Sequence, residues 1–236
     1  MIPNSIEMLL LVTDTSGKQG SVALARTNDP GRVEVVEVAL LAGGMFSAQL
    51  VPQIAGLLAR HHFAKSDIDV FIVVSGPGSF TGLRVGLAAI KALAEILNKP
   101  IVPVSLLQVV AVASGTQGRV VALLDAGRGD VYFGAYEIAG ESVEVQEERL
   151  MSKNEFLSTE FLSTARDATV AIPDAAWAAV AREAGLSVVE FDPPEAGTIA
   201  KVGLIRLRAG GTVSPERLEA NYMRRSDAEM FVKKSS

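Results

Sequence analysis

Residues 69–75, DVFIVVS, form an unbroken apolar run, and with the segment after it they constrain the fold more than any other part of the chain. A strand with no polar alternation is buried on both faces, as in a parallel sheet with helices above and below it. The loop Gly76-Pro77-Gly78-Ser79 follows. Its glycines permit a tight reversal, its proline stiffens it, and Ser79 stands where a helix N-cap belongs. The helix expected next runs from about Phe80 to Asn98. On a helical wheel Leu83, Leu87, Ile90, Leu93 and Leu97 make one apolar face, suited to the lobe's own sheet. Gly82, Val85, Gly86, Ala89, Ala92 and Ile96 make a second face, apolar and mostly small, and the polar stripe of Arg84, Lys91, Glu95 and Asn98 is narrow. A helix that is apolar nearly all round is buried nearly all round. The second face is therefore either covered within the chain or is a partner interface, and the pattern leaves both readings open. In the partner reading, burial contributes about 25 cal/mol per Å² of apolar area.

The flanking pattern is α/β. Strands are expected at Met8–Thr13, Ser21–Arg26 and Val33–Leu40, then a helix from Ser47 to about His62, in which Pro52 fits only near the first turn. With the strand at 69–75, its helix and a strand at Ile101–Val104, these make one lobe, residues 1–104. The second half restarts the pattern. LLVTDTSGKQGSVALA and VVALLDAGRGDVYFGAY both read as apolar strand, Asp, glycine-containing turn, apolar strand. Strands at Arg119–Leu124, Val131–Tyr136 and Val143–Leu150 are followed by a helix near Lys153–Phe161, a strand at Ala168–Ile172 and a helix at Asp174–Ala184. A strand at Ser187–Glu190 and a helix at Ala196–Arg208 complete the unit. Two related lobes, 1–104 and 105–236, facing each other across a cleft, are expected.

The chemistry available to such a cleft is limited. A helix N-terminus after a glycine-rich loop suits an anion, so Asp14, Gly17, Gly76, Gly78, Ser79 and Asp125 are the candidates for holding a nucleotide or phosphate, with ATP or ADP and Mg²⁺ at a subunit interface as the ligand considered. No lysine follows the glycines, so the loop is not of the GxxxxGK[ST] type. Asp14 and Asp125 read either as general bases or as caps of their hairpin turns, and the cap reading is preferred because no second carboxylate or lysine converges on them. The two histidines, His61 and His62, are adjacent; on a helix they project about 100° apart and do not grip one metal together. SGPGS is not the G-x-S-x-G elbow, and neither histidine is placed to complete a triad. The absence of cysteine excludes thiolate chemistry. No catalytic residue, metal or cofactor is expected. The net charge of −5 argues against unaided binding to nucleic acid, and Arg224, Arg225, Lys233 and Lys234 read as a solvated C-terminus. The N-terminus has no basic segment and an early Asp14, so it reads as a first strand and not a signal peptide. With no apolar stretch of membrane-spanning length, a cytoplasmic location is expected.

Ser75–Leu93 resembles the signature GPGSFTGLR-x-G-x-A-x-x-K-A-L-A of the tRNA threonylcarbamoyladenosine biosynthesis protein TsaB family. Leu10–Ser16 (LLVTDTS) and Leu124–Tyr132 (LDAGRGDVY) are similar to that family's opening strand and its D-A-R-x-x-E-V-Y segment, with Gly127 in place of the usual Arg. Asn221–Arg224 (NYMR) resembles a C-terminal P-x-Y-L-R without the proline, and Phe46-Ser47 stands where many members have His-Ser. The resemblance implies the actin/Hsp70/sugar-kinase (ASKHA) fold with two ribonuclease H-like lobes. It implies a non-catalytic subunit of the tRNA threonylcarbamoyladenosine (t6A) modification complex, related to glycoprotease M22-like proteins. Its partners would be a catalytic TsaD-like subunit and a TsaE-like ATPase, with tRNA reached through the complex and a homodimer when the chain is alone. The interface would be the face of Gly82, Val85, Gly86, Ala89, Ala92 and Ile96. The competing readings are a nucleotide-dependent ATPase or kinase-like enzyme of the same superfold, and a glycoprotease-type hydrolase.

Overall fold

The computed structural model describes residues 7–29 and 32–223; Arg224, Arg225, Lys233 and Lys234 lie outside the described residues. Among the described residues, ten strands form two sheets. The first contains β1 (Leu9–Asp14), β2 (Gly20–Asp29), β3 (Arg32–Leu41), β4 (Ile68–Gly76) and β5 (Ile101–Ser105), in the order β3-β2-β1-β4-β5. The second contains β6 (Gly118–Gly127), β7 (Asp130–Ala139), β8 (Ser142–Ser152), β9 (Thr169–Ile172) and β10 (Ser187–Glu190), in the order β8-β7-β6-β9-β10. In both, the first three strands are an antiparallel meander and the last two join in parallel. The repeated strand-turn-strand pattern is thus a repeated topology, the two-lobed ribonuclease H-like arrangement of the ASKHA fold.

The helices are α1 (Phe46–Arg60), α2 (Phe80–Leu97), α3 (Leu106–Ala113), α4 (Lys153–Phe156), α5 (Thr159–Ala165), α6 (Ala175–Glu183) and α7 (Ala196–Arg208). None of the described helices is long and apolar enough to cross a membrane. Two local expectations shift. α1 begins at Phe46 with Met45 at its cap, and Pro52 sits in its second turn, on the exposed side, where the lost N–H faces water. The helix expected near 153–161 is two short ones, each restarted by a serine: Ser152 Oγ accepts from Glu155 N and Ser158 Oγ from Phe161 N, both at 3.2 Å.

The double-sided burial of β1 and β4 dictates the layering. One face of the first sheet, with Leu9, Leu11, Phe71 and Val73, is covered by α1 and α2. The other face, with Leu10, Val12, Ile72 and Val74, is covered by Ile199, Val202 and Leu207 of α7. The second sheet carries α4, α5 and α6 on one side, and α3 on the other through Leu107, Val110 and Ala111. The helix that follows the last strand of each sheet, α3 after β5 and α7 after β10, therefore packs on the other sheet. The expected boundary after residue 104 falls inside β5, one residue before its end, and α7, which that boundary places in the second lobe, packs on the first. The reason is the apolar back of β1 and β4, which α1 and α2 leave bare. α3 itself carries no element in the sequence reading. LLQVVAVA is valine-rich and lacks a polar stripe, because the helix is enclosed by both lobes.

Candidate functional site

Between the lobes lies a cleft of about 990 Å³. Its walls are the turn after β1 (Ser16–Gln19), the segment Ala42–Ser47, the glycine-rich loop with the start of α2, and the end of β6 (Asp125–Gly127) with Tyr132 of β7. The loop sits where it does because of close backbone contact. Ser79 N donates to Ser16 O at 2.7 Å, and a Cβ on Gly78 would lie 2.4 Å from that same oxygen. Ser79 Oγ accepts from Gly82 N at 3.2 Å and caps α2, as its position in the sequence suggests. The Gly76–Pro77 peptide bond is cis.

Of the six nucleotide or phosphate candidates, Gly17, Gly78, Ser79 and Asp125 line the cleft, and Asp14 and Gly76 are not among its lining residues. Asp14 is engaged in its own turn: its Oδ1 accepts from Ser16 N (2.8 Å) and Ser16 Oγ (2.6 Å). Burial pushes the Asp14 carboxyl above its ordinary value, opposed by the two hydrogen bonds from Ser16. Gly76, at φ +131°, is packed so closely on the C-terminal segment that a Cβ would lie 2.7 Å from Asn221 O. Asp125 repeats the Asp14 pattern, with Oδ1 accepting from Gly127 N (3.0 Å), and adds a bond from Trp177 Nε1 (3.2 Å) of α6. Both aspartates thus hold hairpin turns. Phe46, standing where a histidine is common in the family signature, is a buried ring between Gly20 and Gly82: a Cβ on either would lie within 3.2 Å of it. It gives the cleft an apolar floor with no proton to move. His61 and His62 are at the far end of α1, where His61 Nε2 meets Glu37 Oε2 at 2.7 Å.

The second expected face of α2 divides. Gly82 and Gly86 are buried within the lobe. Added Cβ atoms would lie 2.1 Å from Thr15 O and 2.2 Å from Thr15 Oγ1, so these glycines seat α2 on the β1–β2 turn and are unavailable to a partner helix. Val85 and Ala89 are half-buried at the edge of the first core. Ala92 is exposed, and Ile96 is 75% exposed. What remains is a stripe, Val85–Ala89–Ala92–Ile96, along the outer flank of the helix. Sequence reasoning found the stripe by its period; it could not tell which small residues face Thr15.

Residues 40–188 match the family model described as TsaD: tRNA N6-adenosine threonylcarbamoyltransferase. The tRNA threonylcarbamoyladenosine biosynthesis protein TsaB of Escherichia coli is 28% identical over 94% of this chain and 96% of its own length. The TsaB protein of Bacillus subtilis is 34% identical over a shorter stretch, 55% of this chain and 56% of the relative. The solved structure of YeaZ from Pseudomonas aeruginosa superposes with a TM-score of 0.70 at 25% identity, over 91% of this chain and 99% of that one. Since the family model spans more than half of the chain and full-length likeness is to its TsaB members, this chain belongs to the TsaD family of threonylcarbamoyltransferase-related proteins, on the TsaB branch.

Proposed function

We propose that the chain is a non-catalytic subunit in tRNA threonylcarbamoyladenosine biosynthesis, pairing with a catalytic TsaD-type chain alongside a TsaE-type ATPase, and pairing with itself when alone. The observation that carries this reading is the outer flank of α2. Val85, Ala89, Ala92 and Ile96 lie on one line of the helix, the first two half-buried, and Ile96 is three-quarters exposed. An exposed apolar stripe on a well-seated helix suits helix-against-helix pairing. The cleft supports the non-catalytic part. Asp125 on its wall is engaged in a turn, the Ser16 hydroxyl is spent on Asp14 behind the cleft, and its floor is the Phe46 ring. A catalytic chain of the same family would then supply the chemistry and reach the tRNA.

The test is co-purification of the full chain with a TsaD-type catalytic chain. Ile96→Lys adds a charge at a solvent-facing position and should leave the fold intact while weakening the pair by a factor of about ten or more. An Ile96→Lys chain that still pairs at wild-type affinity removes α2 from the interface. tRNA modification by this chain with no partner present removes the non-catalytic reading.

A further inference from the structure

The segment after α7 touches both lobes. Val213 N donates to Ile101 O at 2.9 Å beside β5, Leu218 is sunk in the core under α2, and Met223 packs on the second-lobe cluster around Tyr136. Asn221 holds the two lobes at once. Its backbone N–H donates to Ser75 O (2.7 Å), at the end of β4 where the glycine-rich loop begins. Its side-chain Nδ2 donates to Glu148 Oε2 (3.1 Å) on β8 of the second sheet. The other carboxylate oxygen, Glu148 Oε1, accepts from Tyr136 OH at 2.5 Å. Burial, and after it the charge of Glu148, push the Tyr136 phenol far above its ordinary value, so it stays a donor. Gly134 makes room for that ring, since a Cβ there would lie 2.7 Å from Tyr136 atoms. One residue on, the Tyr222 ring is 4.9 Å from that of Phe80, the first residue of α2. The Tyr222 hydroxyl accepts from Arg84 Nε (3.2 Å), and the Arg84 guanidinium lies 3.9 Å over Phe80.

We infer that Asn221 is a positioning residue that ties the glycine-rich loop and the first turn of α2 to the second lobe through Glu148, so that the lobe-to-lobe geometry sets the seat of the helix. Its functional consequence rests on the reading of α2 as the pairing helix; the latch itself does not. A segment that merely filled space would be insensitive to which side of the Asn221–Glu148 contact donates. A latch depends on it, because a carboxylate only accepts and an amide must face it with its nitrogen.

The experiment exploits that polarity in the full chain. Asn221→Asp sets two carboxylates against each other. Adding Glu148→Gln restores a bond of opposite sense, with the Gln oxygen still accepting from Tyr136 and its nitrogen donating to the new aspartate. Amide hydrogen exchange over residues 76–84 should quicken about tenfold or more in Asn221→Asp and return close to wild type in the double variant, while strands remote from the latch keep wild-type protection. Affinity for a TsaD-type chain should fall and recover in step. Loop exchange in Asn221→Asp equal to wild type, or a double variant no better than the single one, overturns the inference. If Asn221→Asp does not fold, Asn221→Ala, which deletes the donor and adds no charge, is read the same way: quickened exchange confined to the loop supports the latch and unchanged exchange overturns it. Failure of the wild-type chain to pair would sink the pairing reading, and the exchange comparison would still decide the latch by itself.

Discussion

Asp14 closes β1 and Asp125 lies two residues before the end of β6, and each accepts from the backbone N–H two residues on. Their environments differ. Asp125 is exposed at the cleft, whereas burial raises the Asp14 carboxyl above its ordinary value of 3.8. The sign follows from linkage. A carboxyl raised in the folded state holds its proton more tightly there than in the unfolded chain. Stability therefore falls as pH rises from the ordinary value through the raised one. Asn at this position keeps an acceptor for Ser16 N and has no proton to lose. Asp14→Asn is expected to melt at a higher temperature than wild type near neutral pH, with no advantage below pH 3.8. Thermal melts at both pH values check this, and an equal or lower melting temperature at neutral pH would show that the Ser16 bonds to the charged form outweigh burial. The turn role of both aspartates was legible from their place after an apolar strand and before glycine. What was not legible is that only Asp125 meets the cleft, because that depends on how the two lobes face each other.

At the scale of the element, α2 carries two kinds of small residue that the helical wheel cannot separate. Gly82 and Gly86 are small because Thr15 occupies the space a side chain would need. Ala92 is small on an open flank. Gly86→Ala would ordinarily favour a helix by about 1 kcal/mol. Here the new methyl meets Thr15 Oγ1 at 2.2 Å, and overpacking of this kind costs about 1–3 kcal/mol. The expected result is a net loss of stability in urea unfolding, whereas Ile96→Lys leaves the midpoint nearly unchanged. A Gly86→Ala chain as stable as wild type would mean that α2 is free to shift on the β1–β2 turn. The same limit on sequence patterns explains the other differences. The apolar run of β4 announced cover on both faces but not that the second cover comes from residues 196–208. The valines of α3 hid a helix enclosed by both lobes. The NYMR segment was visible as a family motif, yet the role of Asn221 is a contact with Glu148, and such pairings leave no periodic trace.

The exchange of α3 and α7 between the sheets makes the two lobes one thermodynamic unit. Removing α7 from the first sheet exposes Leu10, Val12, Ile72 and Val74, and α7 in turn rests on α3, which covers the second sheet. Neither sheet keeps a two-sided core without a helix that the other half of the chain must hold in place, so partial unfolding of one lobe strips apolar cover from the other. The chain contains a single tryptophan, Trp177, on α6 in the second lobe, where it packs edge-on to Phe156 at 5.7 Å. Its fluorescence therefore reports the second lobe alone. Gly203 of α7 lies so close to β4 that a Cβ would sit 2.5 Å from Ile72 Cδ1, so Gly203→Ala strains the first lobe by about 1–3 kcal/mol. In urea, wild-type Trp177 fluorescence and far-ultraviolet circular dichroism should give one coincident transition. Gly203→Ala should lower the midpoint seen by Trp177 as much as that seen by circular dichroism, although the substitution lies against the other sheet. If the Trp177 midpoint stays at its wild-type value while part of the dichroism signal is lost earlier, the lobes unfold separately and the helix exchange carries no coupling. In that case a latch at Asn221 would be joining two bodies that are otherwise independent.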